Sequence, residues 1–586
     1  MLKIFKYLKA AEWLEAAAAV VFIVAQVWCN LKLPDFMNQI TTLVQTPGSL
    51  IREIWTEGGY MLLCALGSVA SAVVVGFFAA RIAASFSRRL RGLLFNKVDS
   101  FSMEEINSFS TASLITRSTN DITQIQMLVT MGLQMIIMAP IMAVWAITKI
   151  AGKGYEWSLA TGAAVVILVT MISFIMAFVI PKFRKMQILT DNLNKVTREN
   201  LIGLRVVRAY NAEGYQEAKF EKANEDVTGT QLFTSRGMAV MMPAMSLVFS
   251  GLSLSIYWIG AYMLNSAQAA DRLAIFSNMV VFSSYAMQIL MAFMSLVMMF
   301  ILLPRATVSA KRINEVLDTK PTITDGTRAA GNPGAAGEVE FRNVSFKYPG
   351  SSDYVLRDVS FKARQGETIA FIGSTGSGKT TLVNLVPRFF DVTDGAVLID
   401  GVDVRDYIEE SLYNKIGYVP QKAVLFRGSV NSNVGYGENG KGGTSSDAIK
   451  NAIAIAQGTD FVEAMEGQYE ASISQGGANV SGGQKQRLSI ARAVCRNPEI
   501  YIFDDSFSAL DYKTDRLLRS ALKKETAGVT SMIVAQRIGT IMDADQIVVL
   551  NEGRVAGIGR HKELLATCGV YKEIAVSQLS EEELAS

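Results

Sequence analysis

Apolar residues run in long unbroken stretches through the first half of the chain and in short ones through the second. Six long stretches, Trp13–Leu33, Gly59–Ala84, Met127–Ile150, Trp157–Ile180, Gly237–Leu264 and Ala274–Leu303, are long enough to cross a bilayer, which takes about 20 mainly apolar positions. They predict six membrane helices. From about Glu338 the period changes, and short β-branched runs alternate with helical patterns, as in an α/β domain. Asp318–Gly337, rich in Gly, Ala, Pro and Thr, reads as a linker. The expected division is a membrane all-α domain at 1–317, a linker at 318–337 and a soluble α/β domain at 338–586.

Composition supports that division. Half of the 586 residues are hydrophobic and the mean hydropathy is +0.26, too apolar for a soluble protein. A formal charge of +3 gives no reason to expect nucleic acid as a partner. Cys29, Cys64, Cys495 and Cys568 show no C-x-x-C spacing and read as reduced thiols. The first apolar stretch lacks a cleavage site, so no cleavable signal peptide is expected.

Basic residues orient the spans. The three loops at Met37–Gly58, Ala151–Glu156 and Asn265–Leu273 carry one each, Arg52, Lys153 and Arg272. The other side carries Lys3, Lys6, Lys9, Arg88, Arg89, Arg91, Lys97 and Arg117, with ten more from Lys182 to Arg236. That side is expected to be cytoplasmic, with both termini and the α/β domain. Ser85–Gln126 and Pro181–Arg236 lack helix breakers and read as helices continuing into the cytoplasm, with turns expected at Ser108–Arg117 and Val207–Glu213. Nineteen of the 26 methionines fall between Met127 and Met299. Flexible thioethers suit a surface that accepts varied apolar shapes, and they suit ordinary packing equally. Gln134, Asn278, Tyr285 and Gln288 are placed either to hydrogen-bond a substrate or to join helices.

The chemistry lies in the α/β half. Thr368–Ile372 reads as a buried strand and feeds Gly373-Ser374-Thr375-Gly376-Ser377-Gly378-Lys379-Thr380, with a helical pattern from Thr381. Strand, glycine loop and helix in that order make a P-loop, whose N–H groups close on phosphates. Lys379 would reach the β- and γ-phosphates and Thr380 would suit magnesium. Asp504 ends a second apolar run, Ile500–Phe503, and a carboxylate there can hold the magnesium. Ser481-Gly482-Gly483-Gln484 opens a helical stretch that Ser481 can cap, leaving N–H groups for an anion.

These motifs in this order resemble the ATP-binding cassette exporter family, in particular half-transporters with six spans and one cytoplasmic P-loop ATPase domain. The chain is most similar to one subunit of bacterial heterodimeric multidrug exporters. The resemblance implies a bacterial cytoplasmic membrane location. Further roles follow from it alone. Tyr348 matches the aromatic that stacks on adenine, and Gln421 the glutamine that senses magnesium and the membrane half. Ser481–Gln484 match the signature, and Ser508–Asp511 the loop that crosses to the other subunit. Each ATP would lie between one subunit's P-loop, from Gly373 to Thr381, and the other's signature.

Three positions depart from the family pattern. Asp505 replaces the glutamate that orients the attacking water, and it is shorter by roughly 1.5 Å of reach. A misplacement of ~1 Å can cost about 10²-fold in rate. Gln536 stands where the switch histidine is expected; it can hydrogen-bond but cannot carry charge. Gln475 replaces a glutamate before the signature. The only histidine is His561, too far along the chain to serve. The expectation is an ATP site that hydrolyses slowly, beside an intact signature serving a partner with its own Glu and His. The transported compound is expected to be amphipathic or hydrophobic. Uptake of a metal chelate, an ATP-sensing regulatory subunit and a slow homodimer stay open.

Overall fold

The structure, a computed structural model, describes residues 2–46, 48–151, 154–268, 271–437 and 444–579. Lys153, counted above for orientation, lies outside them. Two compact units emerge: one takes the chain up to Asp99 together with Thr111–Thr319, the other takes Ser100–Ser110 and the chain from Lys320 on.

In chain order the helices of the first half are α1 (Ala10–Gln45), α2 (Ile51–Asp99), α3 (Met103–Phe109), α4 (Thr111–Thr116), α5 (Ile122–Ile150), α6 (Tyr155–Ile202), α7 (Leu204–Ala209), α8 (Glu213–Ser266) and α9 (Arg272–Asp318). Among the described residues six helical stretches are long and apolar enough to cross a membrane, and they contain the six apolar runs. The longest, α8, has 54 residues, about 80 Å at 1.5 Å per residue. That far exceeds a hydrocarbon core of about 30 Å, so the helices continue well beyond the bilayer. The expected loop at Met37–Gly58 is shorter than its composition suggested, because α1 runs to Gln45 and α2 starts at Ile51.

Within this unit α1 packs on α2, α5 on α9 and α6 on α8. Trp157 is buried and donates its indole N–H to the Ile256 carbonyl at 3.1 Å. The hydroxyl of Tyr285 lies 2.8 Å from the Leu31 carbonyl and 2.7 Å from Asp35 Oδ1, and Lys149 Nζ is 2.7 Å from Asp35 Oδ2. Gln288 donates to the Asn30 carbonyl at 3.4 Å. Tyr285 and Gln288 therefore join helices. Farther along, a π-helical turn, Arg117–Asp121, links α4 to α5. Its buried Asp121 accepts from Ser309 at 2.9 Å and pairs with Arg312 at 3.3 Å, fixing the α5 extension to α9.

The two interruptions differ from expectation in one place. Around Val207–Glu213 the break between α6 and α8 holds α7 and a short turn. The first runs from Ser100 to Ser110 and so starts before Ser108–Arg117 but ends inside it: α3 sits between a Ser102 cap and Ser110, whose φ is 57°. Ser102 and Glu105 form a reciprocal capping box, a Ser-x-x-Glu pattern visible in the sequence. Glu105 also accepts from the Thr322 N–H at 2.9 Å, which binds α3 into the second unit.

Among its described residues the second unit carries twelve strands: β1 (Val339–Phe346), β2 (Leu356–Ala363), β3 (Thr368–Gly373), β4 (Asp394–Ile399), β5 (Val402–Asp403), β6 (Ile416–Val419), β7 (Gly428–Ser429), β8 (Ser472–Ile473), β9 (Ile500–Asp504), β10 (Thr530–Val534), β11 (Gln546–Asn551) and β12 (Arg554–Gly559). An antiparallel sheet has the order β2-β1-β4-β5, and a six-stranded sheet the order β12-β11-β3-β10-β9-β6. In the larger sheet β11, β3, β10, β9 and β6 are parallel, and β12 is an antiparallel edge. Residues Gly326–Arg328 bond to the main chain of Asp406 and Tyr407, and Gly337 N–H to Asp400 at 2.7 Å. The segment before β1 is thus held along the smaller sheet.

Candidate functional site

Adjacent parallel strands end side by side, and the residues that follow them are brought together. β6, β9 and β10 are neighbours, so Gln421, Asp505 and Gln536, each one or two positions past its strand, converge. Asp505 Oδ2 accepts from Gln421 Nε2 at 3.2 Å and from Gln536 Nε2 at 2.7 Å. Asp505 itself is in the left-handed region, φ 47°, where Asp is among the better tolerated side chains. Its N–H donates to the Val534 carbonyl at 3.0 Å and its carbonyl accepts from Ser508 Oγ at 3.0 Å, which holds that conformation.

The glycine loop follows β3, two strands from β9. Helix α10 (Lys379–Asn384) begins at Lys379, two residues before the expected Thr381, because Gly378 at φ 96° turns the chain into it. Space dictates the glycines. A Cβ on Gly373 would lie 2.1 Å from the Leu550 carbonyl oxygen, and one on Gly378 would lie 2.8 Å from Leu356 Cδ2. At Gly376, φ 85°, nothing lies within 4 Å, so the loop is open on that side. Ser374 and Thr375 are exposed there, while Ser377 is buried and donates its N–H to the Ser374 carbonyl at 3.2 Å.

Lys379 Nζ donates to the Gly373 and Ser374 carbonyls at 2.8 and 2.9 Å, so the ammonium is held at the mouth of the loop. Burial pushes Lys379 below the usual lysine range, and Asp505 and Asp504 pull it back. The Thr380 hydroxyl donates to Asp504 Oδ1 at 2.9 Å. Asp504 is almost fully buried. Burial lifts it above the usual carboxylate range and Asp505 adds to that, with Thr380 and Lys379 opposing. Burial also lifts Asp505, against the amide of Gln421, the cations Lys379 and Arg537 and the amide of Gln536. The Asp504 carboxylate and the Thr380 hydroxyl, beside the Gln421 amide and a glycine loop, fit a divalent cation with a polyphosphate.

Tyr348 joins this cluster through its hydroxyl, 3.0 Å from Thr381 Oγ1, and stands edge-on to Phe346 and Phe390 at 5.0 and 5.3 Å. The signature residues do not join it. Ser481 accepts from Gln484 N–H at 3.3 Å while Gln484 Oε1 accepts from Ser481 N–H at 2.9 Å, capping the helix Gly482–Cys495. Asp511 caps its own helix, Tyr512–Glu525, by accepting from Thr514 N–H at 3.0 Å. Gln475 starts a short 3-10 turn, Gln475–Gly477. Strand β9 divides these regions. Ile500 and Ile502 pack in the core behind the glycine loop, with Leu382 and Val383; Tyr501 and Phe503 pack in the core of the signature helix, with Leu488 and Ile490. Alternation along one strand thus separates the loop from the signature.

Two contacts had no counterpart in the motif reading. Gln578, at the end of the helix Gly569–Gln578, bonds to the main chain of Gln536 and Ile538. Arg519 pairs with Asp515 at 2.9 Å and donates to the Gly539 carbonyl at 3.0 Å.

Comparisons with known proteins agree with this geometry. Residues 17–293 match the ABC transporter transmembrane region, and residues 356–508 the ABC transporter family. An uncharacterized ABC transporter ATP-binding protein of Mycobacterium tuberculosis is 40% identical over 528 residues, 89% of this chain and 87% of that protein. Another, YfiB of Bacillus subtilis, is 35% identical over 540 residues, 91% of each chain. The ATP-dependent lipid A-core flippase of Pseudomonas aeruginosa is 30% identical over 506 residues, 86% of this chain and 82% of the flippase. The structure of a bacterial Atm1-family ABC exporter with ATP bound superposes with a TM-score of 0.80 over 97% of this chain and 99% of that one, at 24% identity, a likeness of fold. The chain belongs to the ABC transporter family, with a transmembrane region followed by an ATP-binding domain in the exporter fold.

Proposed function

We propose that the chain is one subunit of a heterodimeric ATP-driven exporter, and that its own nucleotide site holds ATP and cleaves it slowly. The loop Gly373–Thr381 and Tyr348 hold the nucleotide; Thr380, Asp504 and Gln421 hold magnesium, which supplies charge neutralisation at the phosphates. Ser481–Gln484 and Asp511 serve the site of a partner that carries a glutamate and a switch histidine. Both termini and the ATP-binding domain face the cytoplasm of a bacterium, by the basic residues on that side.

One contact carries this reading most. Asp505 is both short and occupied, its Oδ2 taking amide N–H groups from Gln421 and Gln536. Two neutral amides orient this short carboxylate but add no positive charge beside the γ-phosphate, because neither can take a proton as an imidazole can. The substrate is amphipathic or hydrophobic. Relatedness to a lipid A-core flippase favours a lipid-like compound.

The test is turnover with and without a co-assembling subunit. The chain alone in lipid nanodiscs should hydrolyse ATP slowly, and the pair purified from its native membrane far faster. Turnover by the chain alone at the rate of the pair would remove the slow-site reading and favour a homodimer.

A further inference from the structure

Gln536 is held at both ends. Its side chain bonds Asp505, and its main-chain carbonyl accepts from Gln578 Nε2 at 2.8 Å. The other arm of the same Gln578 amide, Oε1, accepts from the Ile538 N–H at 2.8 Å. One primary amide thus donates to and accepts from main-chain groups two residues apart, which fixes both the position and the rotation of that segment. The helix that carries Gln578 is itself anchored. Tyr571 and Ala575 are buried in a cluster with Ile538, Ile541, Ile547 and Val549. The Tyr571 hydroxyl lies 2.7 Å from Nδ1 of His561. Arg519 in turn donates to the Gly539 carbonyl at 3.0 Å.

We infer that Gln578 is a positioning residue for the nucleotide site, acting through Gln536 on Asp505, so that the helix 569–578 sets the rate of ATP cleavage without setting ATP affinity. The separation follows from the contacts. Affinity resides in the glycine loop and Lys379, whose hydrogen bonds do not include Gln578. Among the described residues, Gln578 bonds to the segment that orients the Asp505 carboxylate. The inference rests on the nucleotide-site reading above.

The experiment uses the full-length protein in lipid nanodiscs, with Gln578→Ala, Gln578→Glu, Gln536→Ala, the double variant Gln536→Ala/Gln578→Ala and Ser577→Ala as a control on the same helix. ATP is the probe, and kcat, KM and thermal melting are read for each. Losing a hydrogen-bonded clamp should lower kcat about fivefold, with KM held within about twofold. Gln578→Glu, which keeps one accepting arm but turns a carboxylate toward the Gln536 carbonyl, should lower kcat at least as far while preserving the helix should Gln578→Ala fail to fold. In the Gln536→Ala background the Gln578 substitution should have no further effect. Unchanged kcat, KM rising in step with the loss of kcat, or full additivity in the double variant would each overturn the inference. Lys379→Ala separates this from the underlying reading: if it binds ATP as the wild type does, the nucleotide site itself is wrong.

Discussion

The side-chain amide of Gln536 donates to the carboxylate of Asp505 at 2.7 Å, so two of the three departures from the family pattern are one hydrogen-bonded unit. Their effects should not add, because residues in direct contact couple. Restoring the longer acid and the imidazole together, Asp505→Glu with Gln536→His, should raise ATP turnover at this site by about 10-fold to 10²-fold, the range a correction of ~1 Å allows. Each single change should recover much less. Turnover is measured with the partner's contribution removed by a substitution of its P-loop lysine.

Lys379 makes its bonds to the loop carbonyls, and burial depresses its pKa. Lys379→Ala should weaken ATP binding by at least about tenfold, as expected for loss of a charge-assisted hydrogen bond. The sign of the pH dependence follows from the depressed pKa: the cation loses its proton at a lower pH than an ordinary lysine, so ATP affinity should fall on the alkaline side before that range is reached. Equilibrium binding between neutral and alkaline pH, wild type against Lys379→Ala, measures this; the variant should lack that component.

Gly373 leaves no room for a methyl group, since a Cβ would meet the Leu550 carbonyl on the neighbouring strand β11 at 2.1 Å. Main chain cannot yield there without breaking the β3–β11 pairing. Gly373→Ala should destabilise the protein by about 2–3 kcal/mol and lower its melting temperature. Gly482→Ala, with nothing within 4 Å of the added carbon, should leave the melting temperature almost unchanged.

Glu105 accepts from Ser102 and from the Thr322 main chain and is almost fully buried. Burial raises its pKa, but those hydrogen bonds outweigh it and hold Glu105 below the usual carboxylate range. A depressed acid contributes stability that is complete above its unfolded value of about 4.3 and is lost as pH falls through the lower folded value. Hydrogen exchange in residues 100–110 should therefore stay slow at neutral pH and rise only in strong acid. Glu105→Gln should bring that exchange up at neutral pH.

The sequence carried the glycine loop and the six spans because each is a contiguous pattern: local spacing alone determines strand–loop–helix and apolar length. It also named Gln421, Asp505 and Gln536, but assigned them to one nucleotide site through the family resemblance alone. Their meeting depends on strand order, and β6, β9 and β10 are far apart along the chain and adjacent only in the folded sheet. Gln578 left no trace at all, since a single glutamine on an exposed helix end has no periodicity to mark it. The turn at α3 is a different kind of miss. Its Ser102–Glu105 capping box was readable, and with no strong breaker nearby the expected turn took in the break at Ser110 but not the capped turn before it.

The central claim is that the pocket at Lys379 retains ATP while its counterpart turns over. The assembled transporter, purified with its native partner and trapped during steady hydrolysis, allows the nucleotide beside Lys379 and Tyr348 to be identified by crosslinking and mass analysis. The account predicts intact ATP in this pocket and ADP in the other. ADP found mainly beside Lys379 would contradict it.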